Sequence, residues 1–140
     1  MAIITDFCIF KYTKDIYYLD LYMSREITTV IIEALNERLG VGAITDDEYI
    51  AYKGIKKLLT VCLSNSDDSF VEVKLHKFYY TYIKMLYHCF ANRSEYKLLR
   101  KVITHLDSLT FDDFDVLFSF DNMDNSMKIS ILSKISGVES

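Results

Sequence analysis

Three histidines, three cysteines and twenty acidic residues are the side chains with which this 140-residue chain can do chemistry. Zinc or another soft metal needs several of them to converge on one point. On a single helix His76 and His88 stand roughly 18 Å apart by helical rise, too far to share an ion. His88 and Cys89 are adjacent, so on a helix they point about 100° apart. A Cys-His nucleophile pair meets in space rather than in sequence, so the order of residues leaves a cryptic pair open. Cys62 and Cys89, however, fall on apolar stripes, where structural, buried thiols are expected. There is no GxSxG, Walker loop, GxGxxG or HExxH. Four glycines are little material for a phosphate-cradling loop. The acids cluster as Asp46-Asp47-Glu48, Asp67-Asp68 and from Asp107 to Asp124. Several of these sit at helix starts, where the helix dipole accounts for them. The glycine and distal glutamate of an EF-hand are absent around Asp112, Asp113 and Asp115. The expectation is no catalytic residue, no metal, no cofactor and no enzyme.

Basic and aromatic side chains carry the remaining signal. Lys53, Lys56 and Lys57 group on one expected helix, and Arg93, Lys97, Arg100 and Lys101 on another. Both sets lie opposite a core stripe, as a solvated face would. As a phosphate patch the second is the better candidate. Eleven tyrosines and nine phenylalanines replace tryptophan altogether. Rings such as Tyr17, Tyr18, Tyr79, Tyr80, Tyr82 and Tyr87 fit two readings equally: filling a tryptophan-free core, or standing exposed at an interface. The candidate interaction surface is Tyr79, Tyr80, Tyr87, Arg93, Lys97, Arg100 and Lys101.

The elements that must position these residues are marked by their starts. Ser24 caps a helix from Arg25 to Leu39 carrying Ile27, Val30, Ile31, Ala34 and Leu35, and Gly40 ends it. Thr45-Asp46-Asp47-Glu48 is a capping box, opening a helix over 46–63 with Tyr49, Tyr52, Ile55, Leu59 and Cys62 on its stripe. Ser69-Phe70-Val71-Glu72 has the same form. It predicts a helix over about 70–91 that is apolar round most of its circumference, and therefore central. Helices over 93–107 and 110–118 follow, then a last one capped by Asp124 or Asn125 with Met127, Ile131, Leu132 and Ile135. Ile3–Phe10 and Ile16–Tyr22 suit a β-hairpin turning at Tyr12–Asp15. The stripe Ile16, Leu19, Met23 and Ile27 equally suits a helix. The fold expected is mainly α: a compact bundle of six or seven helices around a central apolar helix, with room for a short N-terminal β-hairpin.

The bulk numbers agree with one domain over residues 1–140. The chain is 51% hydrophobic and 26% charged, and it contains no proline. Its net charge of −4 weighs against wrapping nucleic acid. The start lacks a secretory signal, and unpaired, widely spaced cysteines suit a reducing compartment. A cytoplasmic or nuclear protein is expected, neither secreted nor membrane-spanning.

The pattern resembles the Bcl-2-like proteins of poxviruses. The residues carrying the resemblance are Val71 to Phe90 as a central helix, wrapped by helices at 46–63 and 93–107, in an Ile-, Asp-, Tyr- and Asn-rich composition. The cellular family's Gly-Arg signature and membrane-anchoring tail are absent. Gly42-Ala43-Ile44-Thr45-Asp46-Asp47-Glu48-Tyr49 is also similar to the turn before a helix in caspase-recruitment domains. The first resemblance implies a non-enzymatic interaction domain that modulates host innate immune or apoptotic signalling by sequestering a host protein. The alternatives are a small acidic phage or bacterial inhibitor or immunity protein, or a nucleic-acid-associated regulator using the local basic patch, although the acidic balance makes a nucleic-acid partner the less expected one. A protein partner is expected in either of the first two cases, and a homodimer is compatible with both.

Overall fold

In the computed structural model, residues 2–4, 9–11, 18–90, 100 and 122–136 are described. Three strands open the chain: β1 (Ala2–Ile4), β2 (Ile9–Lys11) and β3 (Tyr18–Ser24). Then follow α1 (Arg25–Gly40), α2 (Asp46–Ser64), β4 (Phe70–His76), α3 (Lys77–Cys89) and α4 (Asn125–Ser136). Helix dominates, and two antiparallel two-stranded sheets accompany it. Four helices are found among the described residues, so the expected count of six or seven is not supported. The helices expected over 93–107 and 110–118 lie outside the described residues, Arg100 excepted.

The expected hairpin of Ile3–Phe10 against Ile16–Tyr22 is not found among the described strand pairs; a different, shorter hairpin lies within its expected first arm. Ile3 pairs with Phe10 in β1–β2. The expected second arm, Ile16–Tyr22, does not close that hairpin. Its residues from Tyr18 onward form β3, which pairs antiparallel with β4 from Tyr18 opposite His76 to Ser24 opposite Phe70. This corrects the largest expectation, the single helix over 70–91. Its first seven residues are strand. Val71, Val73 and Leu75 are buried while Glu72 and Lys74 are exposed, the period-two pattern of a half-buried strand. Val71, Leu75 and Phe78 also fit a helical stripe, which is why the spacing misled. β-branched valines at alternate positions, and a seven-residue partner in β3, favour the strand. The capping box at Ser69 does not form, and the Ser69 carbonyl instead accepts from the Arg25 amide at 2.9 Å.

The helix that remains, α3, is capped by His76, whose Nδ1 accepts from the Phe78 amide at 3.1 Å. It is the apolar, central helix expected, at little more than half the length. Phe78, Tyr79, Tyr80, Tyr82, Ile83 and Leu86 are all buried. Of Val71 to Phe90, expected as one central helix, only Lys77–Cys89 is helical.

The earlier helices follow their sequence signals closely. Ser24 Oγ accepts from the Ile27 amide at 3.2 Å, and Thr28 Oγ1 donates to the Ser24 carbonyl at 2.9 Å. Ile27, Thr28, Ile31, Ala34 and Leu35 make the buried stripe of α1. Gly42, at φ 78°, lets the chain turn before α2. Ala51, Tyr52, Ile55 and Leu59 face inward from α2. Tyr49 was expected on that stripe, but it is exposed. Helix α2 also packs against α4. There Asp124 Oδ1 accepts from the Met127 amide at 2.9 Å, and Leu132 is buried while Met127 is exposed.

One side chain ties the ends of these elements together. The Arg25 guanidinium donates to the carbonyls of Leu63 (2.8 Å), Ser66 (2.7 Å) and Asp68 (3.1 Å). It thereby satisfies carbonyls at the α2 C-terminus and fixes the turn that leads into β4. Among the described residues, no helix is long and apolar enough to cross a membrane.

Candidate functional site: a cleft along the second helix

The groups that looked chemically active in the sequence are largely committed to holding the fold. Asp47 is buried and accepts from the Tyr82 hydroxyl at 2.8 Å and from Thr45 Oγ1. Burial alone would push this carboxyl up. The hydrogen bonds from Thr45, Tyr82 and the backbone, with the charge of Lys128, outweigh it and hold the carboxyl below its ordinary value. Thr45 thus spends its hydroxyl on the Asp47 and Glu48 carboxylates rather than on a backbone amide, so the capping box is rearranged. Glu48, also buried, faces Arg38 across 3.7 Å. Tyr52 is fully buried and meets Tyr82 edge to face, ring centroids 6.2 Å apart. Burial, then the negative charge of Glu48, pushes the Tyr52 phenol far above its ordinary value and keeps it neutral.

The thiols and imidazoles are scattered. Cys62 is half-buried, and burial followed by the charge of Glu72 pushes its thiol up, away from the thiolate a nucleophile needs. Cys89 is exposed, contrary to the expectation of a buried thiol. Its position in the last turn of α3 puts it past the helix's buried face. His76 belongs to β4 and caps α3, whereas His88 lies at the far end of α3. Among the described residues no group of three His, Cys, Asp or Glu side chains is placed to hold a metal ion. Cys8 lies outside the described residues.

The surface offers a cleft instead. It runs between α2, β4, α3 and α4, with a volume of about 250 Å³. Gly54, Lys57, Leu58 and Val61 line it from α2, Lys74 and His76 from β4, Tyr79 from α3 and Ile135 from α4. Gly54 has no side chain to fill the space. Val61 is 48% exposed, an apolar side chain left beside an open recess. Next to it lies a second recess of about 310 Å³, lined by Lys53, Lys56, Lys57, Thr60 and Leu39. At 3.6 residues per turn, 54/57/58/61 and 53/56/57/60 are neighbouring stripes roughly 100° apart. Lys57 lines both recesses. Lys53 is held by Tyr49: its Nζ donates to the phenol at 3.2 Å and lies 5.0 Å from the ring centroid.

The residues expected to make an interaction surface fare unevenly. Tyr80 is fully buried, and Tyr79 is 2% exposed. This corrects their assignment as surface rings, because α3 is covered on several sides. Tyr79 still lines the cleft. Tyr87 is half-buried, and Arg100 is exposed. Arg93, Lys97 and Lys101 lie outside the described residues. Sequence reasoning missed Leu58, Val61, Lys74 and Ile135. The available signal was Val61 itself, an apolar residue one position short of the Cys62 stripe, on the lysine-bearing side of α2.

Comparison with protein-family models, with curated proteins and with solved structures found no match.

Proposed function

We propose that this chain is a non-enzymatic module that binds another protein, and that the cleft along α2 is where it does so. The observation that carries this reading is the recess lined by Leu58, Val61, Tyr79 and Ile135, with Val61 half exposed beside it. Concave apolar surface rimmed by charge is the ordinary form of a binding site. The commitment of Asp47, Glu48, Thr45 and His76 to helix ends supports binding over catalysis. The cleft's chemistry serves a viral modulator of host signalling or a small phage or bacterial inhibitor equally well.

A photo-crosslinking residue at Val61, with Thr29 on the exposed face of α1 as control, tests this in cells of the source. The expected result is one protein captured from Val61 and not from Thr29. Purified, that protein binds the full chain, and Val61→Glu weakens binding about tenfold or more. Identical captures from both positions, or unchanged affinity in Val61→Glu, would overturn the proposal.

A further inference from the structure

We infer that the partner presents to this cleft an acidic segment carrying at least one aliphatic or aromatic side chain. This rests on the binding-module reading above and adds the partner's chemistry.

The inference comes from the two recesses lying side by side on α2, with Lys57 lining both. One is apolar, with Leu58, Val61, Tyr79 and Ile135 available to an inserted side chain. The other presents three lysines in one stripe of α2, at 53, 56 and 57, with the Thr60 hydroxyl beside them. None of the three lysines forms an ion pair among the described residues. Lys53 makes its contacts with the Tyr49 phenol and ring, which hold its ammonium in place and bring no carboxylate to it. A segment lying along α2 thus meets an apolar recess and a row of ammonium groups side by side. The complementary ligand has an apolar residue flanked by carboxylates.

A nucleic acid meets only half of this description. Its phosphates suit the lysines, but the Tyr49 ring beside them is already engaged by Lys53, and the apolar recess itself offers no exposed ring for a base to stack on, since Tyr79 is buried. The chain's net charge of −4 also repels an extended polyanion at long range, whereas a short acidic segment feels mainly the local lysines.

The test is selection from a displayed library of random peptides roughly 12 residues long. At ~3.3 Å per extended residue such peptides can run the ~28 Å length of the 19-residue α2. The bait is the full chain, and the best peptides are then measured by fluorescence anisotropy. The expected consensus combines Asp or Glu with a Leu, Ile, Phe or Met. Its affinity falls about tenfold or more in Val61→Glu and in the double variant Lys53→Glu/Lys57→Glu. It also weakens as salt is raised, while Thr29→Glu leaves it unchanged. Circular dichroism and thermal melting confirm that each variant is folded; all four positions are exposed, so at least the lysine double variant keeps the test decisive. A consensus without acids that still loses affinity in Val61→Glu would overturn this inference and leave the binding-module reading standing. Failure to enrich any peptide would overturn both. A single-stranded oligonucleotide that binds tightly, weakens in the lysine variant and ignores Val61→Glu would make the surface a phosphate site and also overturn the inference.

Discussion

Tyrosine in this chain plays two physically separate parts, which burial distinguishes. Tyr80 and Tyr52 are fully enclosed and Tyr49 is exposed. Tyr80→Ala should therefore cost about 3–5 kcal/mol, as for other buried aromatic truncations, and Tyr49→Ala under about 1 kcal/mol; urea unfolding curves of both variants decide it. The Tyr82–Asp47 hydrogen bond links α3 to the start of α2. Tyr82→Phe leaves a buried carboxylate short of a donor and should cost about 1.5–3 kcal/mol. Its pH dependence has a definite sign. The Asp47 carboxyl is held below its ordinary value. Its stabilising contribution is thus complete above the unfolded-state value and is lost as pH falls through the folded one. Stability measured from neutral to strongly acidic pH should fall less steeply for Asp47→Asn than for the parent chain. None of these partnerships was visible in order of residues, because Tyr82 and Asp47 are 35 positions apart.

At the level of elements, β4 is where local preference and tertiary pairing disagree. Val71, Leu75 and Phe78 fit a helix, yet the chain from Phe70 to His76 is a strand paired with β3. Replacing the exposed Glu72 and Lys74 by threonine should raise stability by up to about 1 kcal/mol, since strand propensity rises. In a helix the same pair of changes would lower it, so the sign of the shift in thermal melting is diagnostic. Arg25 is the second element-scale device. Its three carbonyl contacts hold the α2 C-terminus against the turn entering β4. Arg25→Ala should cost about 1.5–3 kcal/mol. Arg25→Lys should recover little of it, because one ammonium cannot span three carbonyls as a guanidinium does. Guanidinium-chloride midpoints of the two variants check this. The caps at Ser24 and Asp124 were readable beforehand, because a cap is a contact within three or four residues. The Thr45 cap was readable only as a helix start: Asp47 and Glu48, buried beside it, take its hydroxyl for themselves.

Across the whole molecule, the core face of α2 and the face proposed for binding lie on opposite sides of the helix. Ala51, Tyr52, Ile55 and Leu59 belong to the core, while Lys53, Lys57 and Val61 face out. Val61→Glu and Lys57→Glu should consequently change unfolding free energy by no more than about 0.5 kcal/mol while abolishing or weakening partner binding. What the sequence by itself determined was the set of contacts made over short separations. These are the starts of α1, α2 and α4, the buried stripes of α1 and α2, and the apolar character of α3. Each is written in the period of 3.6 residues or in a cap within one turn. Only the tertiary structure decided that Phe70–His76 is strand, since its hydrogen-bond partner is β3, about fifty residues earlier. Only packing decided that Tyr79 and Tyr80 lie inside, because a ring is buried by what covers it and not by its own helix. The cleft is the extreme case. Leu58, Val61, Lys74, Tyr79 and Ile135 come from four elements, and their meeting depends on how α2, β4, α3 and α4 pack. No local pattern encodes that arrangement.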